Sequence, residues 1–170
     1  MSTYRNGDPI RHASTEQEWQ DAASKGEGAW CYYNHDPKNG EIYGKLYNWY
    51  CVKDPRGLAP SGYHVPSDLE WSLLSKYLGG EEIAGFKMKS TNGWVDGGNG
   101  DNSSGFNGLP GGFCTSFGIF YDINVNGTFW SSSEQSTDYV LHCDLGYNNT
   151  KVNRNYNDKN YGVSVRCLRD

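Results

Sequence analysis

From Leu141 to Gly146 the side chains alternate. Leu141, Cys143 and Leu145 fall on one side, and His142, Asp144 and Gly146 on the other. A strand with one buried face produces this period of two. The chain ends on the same pattern, with Val163, Val165 and Cys167 set against Ser164, Arg166 and Leu168. Such a chain must build a sheet with one face on a core, and other elements must cover it.

Two helices are legible as the cover. Thr15 and Glu18 have capping-box spacing at the head of a helix over 15–24, with Trp19 pointing inward. Ser67-Asp68-Leu69-Glu70, preceded by Pro66, is a second capping box. Leu69, Leu73 and Tyr77, with Trp71, Leu74 and Leu78, predict a wide apolar stripe, and Gly79-Gly80 ends the helix. The rest reads as short strands and loops. Strands are expected over 29–33 and 46–52, with a hairpin joining 117–125 to 127–130 through Asn126-Gly127. The long Gly/Asn/Ser loop over 93–112 carries Trp94 and Phe106, which are expected to pin it to the body. Few helices, many strands and one long loop make a single α+β domain.

A chain of 170 residues can hold one core without a metal or a disulfide. The hydrophobic fraction is only 36%, so the six Trp and thirteen Tyr must supply core area; they also suit a contact surface. A net charge of −5 with no basic stripe makes nucleic acid and anionic membrane poor partners. No apolar run reaches the length of a membrane span, and Ser2 to Pro9 is polar, so no signal peptide is expected. That fits an intracellular or virion protein, or a domain of a longer exported chain. Cysteines at 31, 51, 114, 143 and 167 lack zinc spacing, and their odd number favours buried free thiols; one bridge, such as Cys31 to Cys167, stays open.

Between the final strands, Asn148, Asn149, Asn153, Asn155, Asn157 and Asn160 crowd together with Tyr147, Tyr156, Asp158 and Tyr161. Nothing there can build a core. Amides, phenols and carboxylates suit adaptable polar contact; a solvated sheet face with an ordinary loop is the plainer alternative.

Six blocks stand in the order of the Fibrobacter succinogenes major paralogous domain family, which the chain resembles nearly end to end. They are Thr3 to Ile10, Tyr43 to Tyr50, Gly57 to Pro60 with Gly62 to Ser67, Leu109 to Phe113, Phe129 to Glu134, and Gly162 to Cys167. The resemblance implies a C-type lectin-like fold with two helices, small antiparallel sheets and long loops. The C-terminal stretch is similar to the variable region of proteins diversified by retroelements in gut bacteria and their phages, placed here at about 115–161. In those systems template adenines are randomised, and Asn codons become Tyr, Asp, His, Ser or Gly. Within reach of a randomised Asn codon are Asp138, Tyr139, His142, Asp144, Gly146, Asn148, Asn149, Asn153, Asn155, Tyr156, Asn157, Asp158, Asn160 and Tyr161. Leu145, Val152 and Gly162 to Cys167 look like the fixed frame. The chain departs from the family at Cys114 and Cys143, where Arg is common, at Leu141, where Trp is common, and at Val163, where Phe is common.

Catalysis is not expected. Ser132, His64 and Asp68 could be combined into a triad, but no nucleophile elbow supports it. No cofactor is expected either. Asp96, Asn99 and Asp101 leave calcium as the alternative, without EF-hand spacing. The glycine-rich stretch there lacks the Lys and setting of a phosphate loop. The expected function is ligand recognition by this polar and aromatic face, displayed on a phage tail or bacterial surface, with a protein or glycan as partner. A non-diversified surface adhesion or glycan-associated module is the alternative, and an enzyme of the formylglycine-generating type the remote one.

Overall fold

The computed structural model describes residues 1–170. The N-terminal half begins with β1 (Arg11–His12), α1 (Glu16–Ser24) and β2 (Ala29–Cys31), followed by α2 (Pro37–Tyr43), β3 (Leu46–Tyr47) and α3 (Trp49–Lys53). Next come β4 (Tyr63–His64), α4 (Asp68–Tyr77) and α5 (Glu81–Met88). The C-terminal half is β-rich: β5 (Gly111–Cys114), β6 (Phe120–Ile123), β7 (Asn126–Glu134), β8 (Tyr139–Gly146), β9 (Val152–Asp158) and β10 (Leu168–Arg169). The α+β class holds, with five α-helices rather than two.

Both expected helices start where their caps lie. Thr15 accepts from the Glu18 amide, although Glu18 returns its carboxylate to Ser14 rather than to Thr15. At α4 the box is complete: Ser67 accepts from the Glu70 amide, and Glu70 accepts from the Ser67 amide. The buried face of α4 differs from the expected stripe. Trp71, Ser75 and Leu78 are buried, whereas Leu69, Leu73 and Tyr77 are exposed. The helix is oriented by Trp71, whose Nε1 donates to Trp130 O, and by Arg154 of β9, which pairs with Asp68 at 2.7 Å.

The expected strand over 46–52 breaks after Tyr47. Asn48 caps α3 by accepting from Cys51 N, and its amide also ties Ala29 N and Glu27 O. The strand expected over 29–33 likewise ends at Cys31, and a short 3-10 turn follows. The hairpin is also corrected. The order of the large sheet is β6-β5-β7-β8-β9, so β5 lies between the two strands expected to pair. The tight turn joins β5 to β6, where Thr115 N donates to Ile119 O and Gly118 takes a positive φ. Not all pairing is antiparallel, since β1–β2 and β5–β7 run parallel. The 162–167 segment is extended but bridges Tyr47, Cys114 and Phe129 in turn instead of joining one ladder.

All six tryptophans are buried. Their role is therefore core and not contact surface. Trp130 Nε1 donates to Tyr47 O, Trp49 Nε1 to Ser131 O, and Trp19 Nε1 to Thr115 O. Each bond ties the N-terminal half to the C-terminal sheet. All five cysteines are free thiols, and Cys31 packs in the core beside Cys114 and not Cys167. Cys114 and Cys143, where the family commonly has Arg, are fully enclosed.

The 93–110 loop is pinned as expected. Trp94 is buried, and Phe106 packs edge-on to Trp71 and Phe129. One of its glycines serves close approach. A Cβ on Gly98 would stand 2.4 Å from Tyr147 O. Gly85 of α5 does the same against Lys151 O, at 2.1 Å. The loop and α5 thus clamp the backbone of the β8–β9 turn from two sides.

His64 closes the C-terminal end. Its Nδ1 meets Asp170 Oδ1 at 2.7 Å and its Nε2 meets Glu70 Oε1 at 2.8 Å, beside the β4–β10 pairing. Asp170 and then Glu70 hold its pKa above the usual 6.5. A raised folded-state value means that the contribution is complete below about pH 6.5 and is lost as pH rises through the folded pKa. In an NMR titration His64 should therefore have its midpoint above 6.5, and Asp170→Asn should move that midpoint down.

Candidate functional site

Cross-strand register builds the site. On one face of the large sheet, Trp130 of β7, His142 of β8 and Asn155 of β9 stand side by side. The next row is Thr128, Asp144 and Asn153, and beyond it Asn126 faces Gly146. On the reverse face the rows are Phe129, Cys143 and Arg154, then Gly127, Leu145 and Val152. Phe129, Cys143, Leu145 and Val152 belong to the core under α4 and α5. One face is committed to folding, and the other is polar and open at the Asn126 end. At its opposite end the polar face is closed by Val140 and Trp130, packed with Trp49 and Val163.

The open part is a concavity of about 590 Å³. Of the residues expected from the sequence, it brings together His142, Asp144, Gly146, Asn148, Asn149, Asn153, Asn155, Tyr156 and Asn157. It adds Phe113, Asn126 and Thr128. Those three carry no local sign of a site: Asn126 reads as a turn residue, Thr128 as an ordinary strand residue, and Phe113 only as the end of a family block. Only the register of β7 against β8, with β5 alongside, reveals them.

The remaining residues stand elsewhere. Tyr139 packs edge-on to Tyr156, with ring centres 5.4 Å apart. Alternation puts both on the side of Leu141, so Tyr156 borders the concavity only from the edge strand. Asp158 accepts from the backbone and side-chain amides of Asn160, fixing the turn after β9. Tyr161 stacks on Phe113 at 5.8 Å. Asp138 is exposed, and its carbonyl accepts from Lys159 N. Asn149 is partly structural too, because its Oδ1 accepts from Lys151 N.

The polar groups are held unevenly. Asn155 Nδ2 donates to Asp144 Oδ2 at 3.0 Å. His142 is 4% exposed, and its Nδ1 lies 3.1 Å from Asp144 Oδ1. The direction of that contact is poor, and neither ring nitrogen has a hydrogen-bond partner. The turn at the mouth hangs on Lys89, the C-cap of α5, whose Nζ donates to Gly146 O and Asn149 O at 3.0 and 2.8 Å. Burial holds this ammonium below its ordinary pKa.

The other candidate chemistry does not assemble. Both ring nitrogens of His64 are engaged by Asp170 and Glu70, and Asp68 is engaged by Arg154, so neither is available to Ser132. Asn99 Oδ1 accepts from Trp94 N and Asp101 Oδ1 from Ser103 N, while no three His, Cys, Asp or Glu side chains converge anywhere. No helix is long and apolar enough to cross a membrane.

Fold and site together define an α+β domain that presents a polar, concave sheet face backed by a packed core. The chain belongs to the Fibrobacter succinogenes major domain family, whose model matches residues 1–169. Neither the curated proteins nor the solved structures contain a match to it.

Proposed function

We propose that this chain is a ligand-recognition domain of C-type lectin-like fold, displayed on a phage tail or bacterial surface, whose polar face is diversified by a retroelement. The observation that carries the reading is the split across β7, β8 and β9. Residues within reach of a randomised Asn codon, His142, Asp144, Gly146, Asn153, Asn155 and Asn157, share the open face, and Leu145 and Val152 lie behind it in the core. Side chains that reach solvent on that face can change without touching the packing that specifies the strand register, whereas His142 is buried against Trp130. The fold reading is supported by the two capped helices α1 and α4, the long loop over the large sheet, and the meeting of Met1 with Val165 and Arg166 at one cleft.

A DNA repeat near the coding region tests the diversification. It should match the 3′ part of the gene except at adenines, and a reverse transcriptase gene should accompany it. A genome without the repeat would contradict diversification. It would leave the second reading, a non-diversified surface module. That reading is favoured by one observation: Asn149, Asp158 and Asn160 are used in local turns, which explains part of the Asn richness without variation.

A further inference from the structure

From the chemistry of the concavity we infer that its ligand is a neutral saccharide, bound without metal on His142, Asp144, Thr128 and Asn155, with its apolar face against Phe113. The inference rests on the recognition reading and adds the class of ligand.

Four observations carry it. First, the lining holds amides, the hydroxyls of Thr128 and Tyr156, an imidazole and a single carboxylate, and no Lys or Arg. Phosphate, sulfate and acidic sugars would meet the Asp144 carboxylate there with no Lys or Arg to offset it. Second, the ring nitrogens of His142 are buried and unpartnered at this floor. A buried imidazole without partners is costly. A hydroxyl both donates and accepts, so a polyol can serve His142 in either tautomer, together with the Asp144 carboxylate that also accepts from Asn155.

Third, the concavity has an aromatic side. Phe113 lines it, stacked on Tyr161 with a 22° interplanar angle and flanked by Tyr121 at 6.0 Å. Aromatic faces beside a dense set of hydrogen-bonding groups match a sugar ring, which is apolar on its C–H face and polar around its rim. Fourth, a protein ligand of ordinary kind buries apolar or aromatic anchors in a desolvated pocket. Here such an anchor would strip water from the amides and from Asp144 without replacing their hydrogen bonds. The volume of about 590 Å³ suits a compact ligand.

The test is an array of neutral and acidic oligosaccharides probed with the full chain in chelating buffer, followed by calorimetry on the strongest binder. A parallel array of bacterial surface proteins is probed with the same variants. Asn155→Ala and Phe113→Leu are the probes, because Asn155 is exposed and Leu removes the ring of Phe113 while keeping an apolar side chain there. Tyr77→Ser, on the exposed side of α4 and outside the concavity, is the control. A neutral glycan should bind, with affinity falling about tenfold or more in both probe variants, little change in the control, and an unchanged melting temperature in Asn155→Ala. No glycan binding, preference for acidic glycans, or glycan binding indifferent to Asn155→Ala and Phe113→Leu would each overturn the inference. Capture of a surface protein, abolished by Asn155→Ala, alongside glycan silence would overturn the saccharide and keep the recognition reading. Silence on both arrays would count against both.

Discussion

Trp130→Ala should cost about 3–5 kcal/mol of stability, because it empties a fully enclosed indole site. The expected fall in Tm is roughly 10 °C or more for a domain of this size. The loss has two parts. The indole packs with Trp49, Val140 and Val163, the cluster where β7, β8, α3 and the C-terminal segment meet. Its Nε1 also donates to Tyr47 O at 2.7 Å, so removal leaves a buried carbonyl without that donor. Trp130→Phe keeps most of the packing and loses only the bond, so it should fall between the two. Calorimetric melting of the three proteins gives the comparison. Because Trp130 neighbours His142 in the ladder, the alanine variant should also loosen the floor of the concavity.

Lys89→Met should cost about 2–3 kcal/mol despite keeping an apolar chain of similar length. The ammonium is 2% exposed as a residue and has no carboxylate partner; two carbonyls of the β8–β9 turn are what it serves. Methionine cannot donate, so Gly146 O and Asn149 O would lose charge-assisted bonds where water enters poorly. The turn carries Asn148 and Asn149 to the mouth of the site. Ligand affinity should therefore fall with stability, whereas Asn155→Ala should lower affinity alone. Urea unfolding and calorimetric binding on the same samples separate the two.

Much of the frame can be read in the sequence because its signals are local. The Ser67 box needs only four residues, and the β8 alternation needs only eight. The helix over 37–43 also carries such a signal, an Asp36 cap followed by Pro37 in the first turn. What fails is non-local. Two apolar rows run along α4, and composition does not say which one faces inward. Trp71 and the Arg154–Asp68 pair decide it from residues far along the chain. The sheet order fails for the same reason: β5 enters between β6 and β7, and no short-range turn preference at Asn126-Gly127 can foresee that.

The site divides along the same line. His142 and Asp144 follow from the strand period of β8, whereas Asn153, Asn155 and Asn157 read only as an Asn-rich stretch between strands, and the unforeseen strand β9 sets them beside β8. Thr128 and Asn126 depend on the β7–β8 register, and Phe113 on the neighbouring β5. Tyr139, Asp158, Asn160 and Tyr161 share the composition of the site residues, but packing and turn bonds employ them elsewhere. Composition alone cannot separate an amide that waits for a ligand from one that closes a turn.

The most direct measurement of the division between frame and face is the melting temperature of one combined variant. Asn148, Asn153, Asn155 and Asn157 are all changed to Ser and compared with the single reverse-face change Leu145→Ala. The face variant should lose no more than about 2 kcal/mol in all, or roughly 4–8 °C at the most, because surface substitutions away from packing and caps rarely exceed ~0.5 kcal/mol each. Leu145→Ala, which empties a wholly buried site, should cost about 2–5 kcal/mol. A face variant that melts as low as Leu145→Ala would show that the open face is part of the fold's own support, and would contradict a frame that presents a freely variable surface.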